Sequence, residues 1–199
     1  MNDSKSPKPN MGKILNLAGM LTFFTVSWII VQNMTEQKAT NDPVGAAFTG
    51  SLDSLRTYLN EGGNIAVKSP MDNSSLLLVA GIQGHTPVGR FLIERGIDIN
   101  SQNTNGDTAL HTAAFFGQEA YVKMLVDYGA ATEIPNNAGE TPLDVVSSKW
   151  SADLESSYLF LEGLLKIDLQ LEEIKKSRVQ CSDLILQKMN TNSQTLINQ

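Results

Sequence analysis

A spacing of 33 residues organises the middle of this chain. Gly106, Thr108 and Leu110 recur as Gly139, Thr141 and Leu143, and stepping back by the same interval takes Gly117, Gly129 and Ala113 to Gly84, Gly96 and Ala80. Gly50 and Gly62 precede Gly84 and Gly96 by 34, so the first unit holds one extra residue. Such a period belongs to stacked-repeat architectures. Within one unit, Thr108 is placed to cap a helix through its hydroxyl. Leu110, Ala113 and Ala114 form an apolar stripe whose small members permit close helix contact. Gly117 breaks that helix, Tyr121, Met124 and Leu125 give a second stripe at helical spacing, and Gly129 ends it. Neither helix buries its apolar face alone, so the units must stack and the terminal ones must act as caps.

The unit, read over "GDTALHTAAFFG" (Gly106 to Gly117), "YVKMLVDYGA" (Tyr121 to Ala130) and "GETPLD" (Gly139 to Asp144), resembles the ankyrin repeat, from about Asp42 to Leu165. The resemblance implies an all-α solenoid of about four helix-turn-helix units over residues 42–165. "PVGAAFTGSLDSLRTYLNEGGNI" looks like an N-terminal capping unit. "SSLLLVAG", Ser74 to Gly81, keeps the apolar spacing without the usual proline and histidine. Trp150 stands where the fourth unit's inter-helix glycine belongs, so its second helix is expected to be displaced.

The same resemblance implies a protein-binding surface. In that family the two residues before the inter-helix glycine face a concave groove, which here selects Phe48, Ile82, Gln83, Phe115 and Phe116. An exposed apolar patch marks an interaction site, and aromatic residues are favoured anchors; burial under the C-terminal region is the alternative for these side chains. The polar turn segments become hairpin tips beside the groove, with Met71, Asp72, Thr104, Asn105, Asp107, Asn137 and Glu140 reaching outward.

Catalysis is a poor reading. His111 with Thr108 or Asp107 could be drawn as a general base, but it follows the family's Thr-x-x-His pattern, in which the imidazole ties repeats together. No nucleophile, phosphate-binding glycine loop or metal spacing accompanies it. With one cysteine and two histidines, the chain offers no cysteine-based metal cage and little histidine ligation, and no cofactor is expected. A formal charge of −6 and a pI near 4.9 oppose nucleic acid as a partner.

The N-terminus departs from this pattern. Residues 1–13 are polar and carry Lys5, Lys8 and Lys13, and residues 14–35 contain no charge. The strongest part, Ile14 to Val31, would span ~27 Å as a helix, close to the thickness of a bilayer core. The lysine flank favours a cytoplasmic start. A cleaved signal peptide would want small residues where "IIVQNMTEQKAT" has bulky ones, so an uncleaved anchor is favoured, with cleavage the alternative and a buried helix of the soluble domain the third reading. Residues 36–41 form a linker. The part beyond would face the exterior, with a bacterial periplasm the expected compartment.

Toward the C-terminus, Leu154, Tyr158, Leu161 and Leu165 line one side of a helix expected to complete the fourth unit. Leading into a C-terminal helix expected over 166–190, Leu164, Ile167, Leu171, Ile174, Arg178, Cys181 and Ile185 follow a heptad-like pattern that Arg178 interrupts. A cap over the open end of the stack is expected. The alternative is self-association, with Cys181 in an intermolecular disulfide. Residues 191–199 are expected to fray. The overall expectation is a membrane-anchored, non-enzymatic binding module for a protein partner. The alternatives are an immunity or inhibitor protein acting on an envelope toxin or secreted hydrolase, and an accessory factor for an envelope enzyme such as one of oxidative-stress defence.

Overall fold

The computed structural model describes residues 42–197; the expected basic segment, anchor and linker over residues 1–41 lie outside the described residues. The described residues form nine helices in order: α1 (Pro43–Thr49), α2 (Leu52–Asn60), α3 (Leu76–Ile82), α4 (Thr86–Glu94), α5 (Ala109–Phe115), α6 (Glu119–Asp127), α7 (Pro142–Ser147), α8 (Ala152–Leu165) and α9 (Leu171–Ile197). The described residues form no strand, only an isolated antiparallel bridge between Lys68 and Ser75. None of the described helices is long and apolar enough to cross a membrane.

The helices form two layers. The short inner helices α1, α3, α5 and α7 pack in sequence, and the outer helices α2, α4 and α6 pack behind them. Capping explains where the inner helices begin. Ser75, Thr108 and Thr141 each accept the backbone N–H three residues on, at 3.3, 3.5 and 3.3 Å. Ser75 therefore fills the threonine's place in the unit that departs most in sequence.

Small residues hold the inner layer tight: Ala46, Ala47, Ala80, Ala113 and Ala114 are all buried. Behind them the buried Tyr121 donates its hydroxyl to the Leu77 carbonyl at 2.7 Å, crossing from one unit to the previous one. Its ring lies against Gly89, where a Cβ would come within 2.7 Å of it. At Gly117 φ is +65°, a left-handed turn open to glycine at little cost, and a Cβ there would sit 3.2 Å from the Ile174 carbonyl oxygen of α9.

The fourth unit differs from expectation. Helix α8 does not complete it; α9 does, packing against α7 and α6 as each outer helix packs against its own inner helix and the preceding outer one. The repeat stack thus extends past 165, and α8 is an insertion within its last unit. The physical reason begins at Trp150, in the glycine register. Where earlier units turn left-handed, Ser148 and Ser151 adopt extended backbone, with ψ of 135° and 165°, and the chain leaves the stack before returning. Residues 191–197, expected to fray, continue α9.

One stripe of α9, comprising Ile174, Arg178, Cys181 and Ile185, is buried against the stack. The heptad-like spacing is therefore occupied within the chain, and Arg178 belongs to the stripe instead of interrupting it. This removes the basis for self-association through these positions. Cys181 is 0% exposed, and burial, with Glu119 adding to it, pushes its thiol up to about 12. Native protein is expected to leave Cys181 unmodified by a thiol-reactive dye at pH 8, whereas urea-unfolded protein should label completely; labelling at equal rates in both states would contradict this packing.

Candidate protein-binding surfaces

The residues expected in the groove share a structural duty. Phe48, Ile82 and Phe115 occupy equivalent positions near the ends of inner helices, where backbone carbonyls lack helical partners. In each case a later part of the chain supplies the donor. Gln83 Nε2 donates to the Phe48 carbonyl at 2.7 Å, and His85 Nε2 lies 2.9 Å from the same oxygen. Gln118 Nε2 donates to the Ile82 carbonyl at 3.0 Å. The Phe115 carbonyl receives Arg178 Nη1 at 3.3 Å, together with the Tyr158 hydroxyl.

The Arg178 guanidinium does more. Nη1 also reaches the Tyr158 hydroxyl at 3.0 Å, and Nη2 donates to the Val145 carbonyl at 2.6 Å and to Ser148 Oγ at 2.9 Å. It is 4% exposed and forms no ion pair among the described residues. Carbonyls near two helix C-termini supply the negative potential that holds it. Burial pushes the Tyr158 hydroxyl up to about 12, against the opposing pull of Arg178.

Phe115 and Phe116 are not an open pair. Phe116 is 7% exposed; Phe115 is half-buried, stacked on Tyr158 with ring centroids 4.5 Å apart and edge-on to Phe116 at 5.1 Å. Trp150 stacks on the other side of Tyr158 at 5.1 Å. Ile82, Leu154, Leu161 and Leu165 pack into this second apolar cluster. The inserted helix α8 thus covers the aromatic part of the expected groove, because its apolar side satisfies those rings better than water does. Phe48 is half-buried against the main core and Gln83 is committed to the Phe48 carbonyl.

The hairpin tips remain outward. Each tip bonds to the one before: Thr104 N and Oγ1 donate to the Asp72 carbonyl at 2.9 and 3.0 Å, and Asn137 N and Nδ2 donate to the Asn105 and Thr104 carbonyls, both at 2.9 Å. Met71, at 60% exposure, stands out with the exposed Thr104, Asn105, Asn137 and Glu140. Asp72 and Asp107 are half-buried and serve the loops instead, accepting from Ser74 Oγ at 2.5 Å and Asn136 Nδ2 at 3.0 Å.

His111 is buried and links two units. Nδ1 accepts from Thr108 N at 3.1 Å, so Nε2 carries the proton given to the Glu140 carbonyl at 3.0 Å. Burial lowers its pKa, with the Glu140 hydrogen bond opposing. The unfolded chain, near its ordinary value of about 6.5, then takes up a proton more readily than the folded one as pH falls. The histidine's contribution to stability is full above about pH 6.5 and declines below it, toward the lower folded pKa. The urea midpoint should fall between pH 7.5 and 5.5, and His111→Asn should flatten that slope.

Sequence reasoning passed over Arg56, Arg90 and Arg95, and read Arg178 only as a break in the heptad-like pattern. A signal was available for two of them, since Arg56 and Arg90 differ by the 34 residues that separate the first two units.

The geometry defines a class: a stack of helix hairpins with a bonded row of projecting loops. Its particular family follows from comparison with known proteins. The family model for Ankyrin repeats (3 copies) matches residues 44–136 and 77–154, together more than half of the chain, and the chain belongs to that family. Among relatives, protein phosphatase 1 regulatory subunit 12A of Mus musculus is 32% identical over 127 residues, covering 64% of this chain and 12% of its own length. Synphilin-1 of Mus musculus is 29% identical over 150 residues, covering 69% and 16%. The ankyrin repeat domain of Bcl-3, described as a member of the IkappaB protein family, superposes with a TM-score of 0.50 at 26% identity, covering 57% of this chain and 50% of that one. This chain therefore matches only a small part of the two longer relatives, and the shared part is an interaction scaffold.

Proposed function

We propose that the chain is a non-enzymatic scaffold that binds a protein partner through its hairpin tips. It would be held at a membrane by Ile14 to Val31, with the repeats on the exported, periplasmic side. The observation that carries the binding surface is the tip ladder, in which Asp72, Thr104, Asn105 and Asn137 bond to one another and leave Met71 and Glu140 outward. A row fixed in advance loses less entropy on association than free loops would. The apolar run and its lysine flank support the membrane placement. A photo-crosslinking residue at Asn137 should give one discrete adduct in native membranes, while the same residue at Gln187 on α9 gives none; equal adducts from both positions would reject the tip surface. A phosphatase fused after residue 199 should be active only if that end is exported.

A further inference from the structure

The chain has four arginines, and apart from Arg178 all lie on the outer helices of the first two units or immediately beyond their last residue. Arg56 and Arg90 are equivalent positions on α2 and α4 and line one shallow groove of about 330 Å³, with Leu52, Pro87, Phe91 and Glu94. Arg95 follows α4. Two guanidiniums bracket a single ring: Arg56 Cζ lies 5.6 Å and Arg95 Cζ 4.7 Å from the centroid of Phe91. Arg90 Cζ is 5.9 Å from the Tyr128 ring.

These cations lie against aromatic rings and are not ion-paired among the described residues. Among the described residues the ion pairs involve Lys123 and Lys175, and none uses Arg56, Arg90 or Arg95. The next position in the row, Lys123, is neutralised by Asp127 at 2.7 Å. Glu94, the acid within the groove, accepts the Tyr128 hydroxyl at 3.2 Å instead. Asp53, one turn from Arg56 on α2, is exposed and makes no ion pair among the described residues. Arg95 also donates to Asn60 Oδ1 at 3.5 Å. In a chain of formal charge −6, a local set of guanidiniums held against rings, with no ion pair among the described residues, is a prepared anion-binding surface, because ring stacking limits the side-chain freedom that binding must otherwise remove.

We infer that the groove between α2 and α4 docks an acidic peptide segment of a protein partner. Its carboxylates would meet Arg56 and Arg90, and its apolar residues would lie on Leu52, Pro87 and Phe91. The apolar floor between the cations favours this over a bilayer, whose headgroups offer charge without side chains to fill it. The inference rests on the reading of the chain as a protein-binding scaffold but uses a face other than the tips.

The test takes the full chain in detergent and a fluorescent peptide of alternating glutamate and leucine, followed by anisotropy. Binding that weakens as salt rises is expected, with roughly tenfold loss in Arg56→Gln with Arg90→Gln. Arg56→Lys with Arg90→Lys should lose less, and the charge-matched control Lys176→Gln with Lys188→Gln should be unchanged. Equal affinity in the arginine double variant, equal binding of a lysine–leucine peptide, or equal loss in the control would overturn the proposal. Arginine-dependent capture by phosphatidylserine vesicles without peptide binding would overturn it in favour of lipid. Crosslinking from Asn137 in the arginine double variant separates the two readings, since the tip adduct is judged independently of the peptide.

Discussion

Arg178→Met is expected to lower the unfolding free energy by about 3 kcal/mol, because hydrogen bonds to a charged group are worth roughly 1.5–3 kcal/mol each and the lost desolvation cost of the cation offsets part of the sum. Methionine fills much of the volume but donates nothing. The Tyr158 hydroxyl still serves the Phe115 carbonyl, so the Val145 carbonyl and Ser148 lose their guanidinium donor. Arg178→Lys should recover less than half of the loss, since one ammonium does not span both carbonyls and the Tyr158 hydroxyl. Urea unfolding followed by circular dichroism measures the total. Hydrogen exchange should locate it, with protection lost first in α8 and α9 while α1 to α4 hold. A change below about 1 kcal/mol would mean that the guanidinium is not what fastens the last unit.

The other large effect is expected in the middle of the stack. Tyr121→Ala should cost about 3–5 kcal/mol, as removal of a large buried ring usually does, whereas Tyr121→Phe should cost about 1 kcal/mol for the single hydrogen bond. The difference arises because the ring fills the space left by Gly81 and Gly89, and the hydroxyl only adds the bond to Leu77. These glycines leave no side chain to collapse into the void. If the phenylalanine variant were as damaging as the alanine one, the hydrogen bond, and not the packing, would be the dominant link between the units. Because repeat stability combines unit and neighbour terms, the loss should be felt on both sides of α6.

The two variants fall on opposite sides of what could be read from the residues. The middle of the stack was legible: Thr108, Leu110, Ala113, Gly117 and Tyr121 state a helix, a turn and a second helix in strictly local terms, and repetition at fixed spacing states the stacking. The placement of His111 as an inter-unit tie came from the family resemblance, through its Thr-x-x-His pattern. The tips were legible in outline, though which carboxylates face outward was not. Asp72 and Asp107 turn inward to bond Ser74 and Asn136, a choice made between neighbouring loops.

The sequence by itself determined the repeat, its two-helix unit and its register, because capping, helix periodicity and left-handed glycine turns act over a few residues. Only the tertiary structure decided that α9 completes the last unit, that α8 covers Phe115 and Phe116, and that Arg178 caps their helix. Those outcomes depend on which distant surface best buries an apolar face and which distant donor reaches an unpaired carbonyl. That competition is settled across 30 or more residues of chain, from Val145 or Phe115 to Arg178, where no local spacing rule applies.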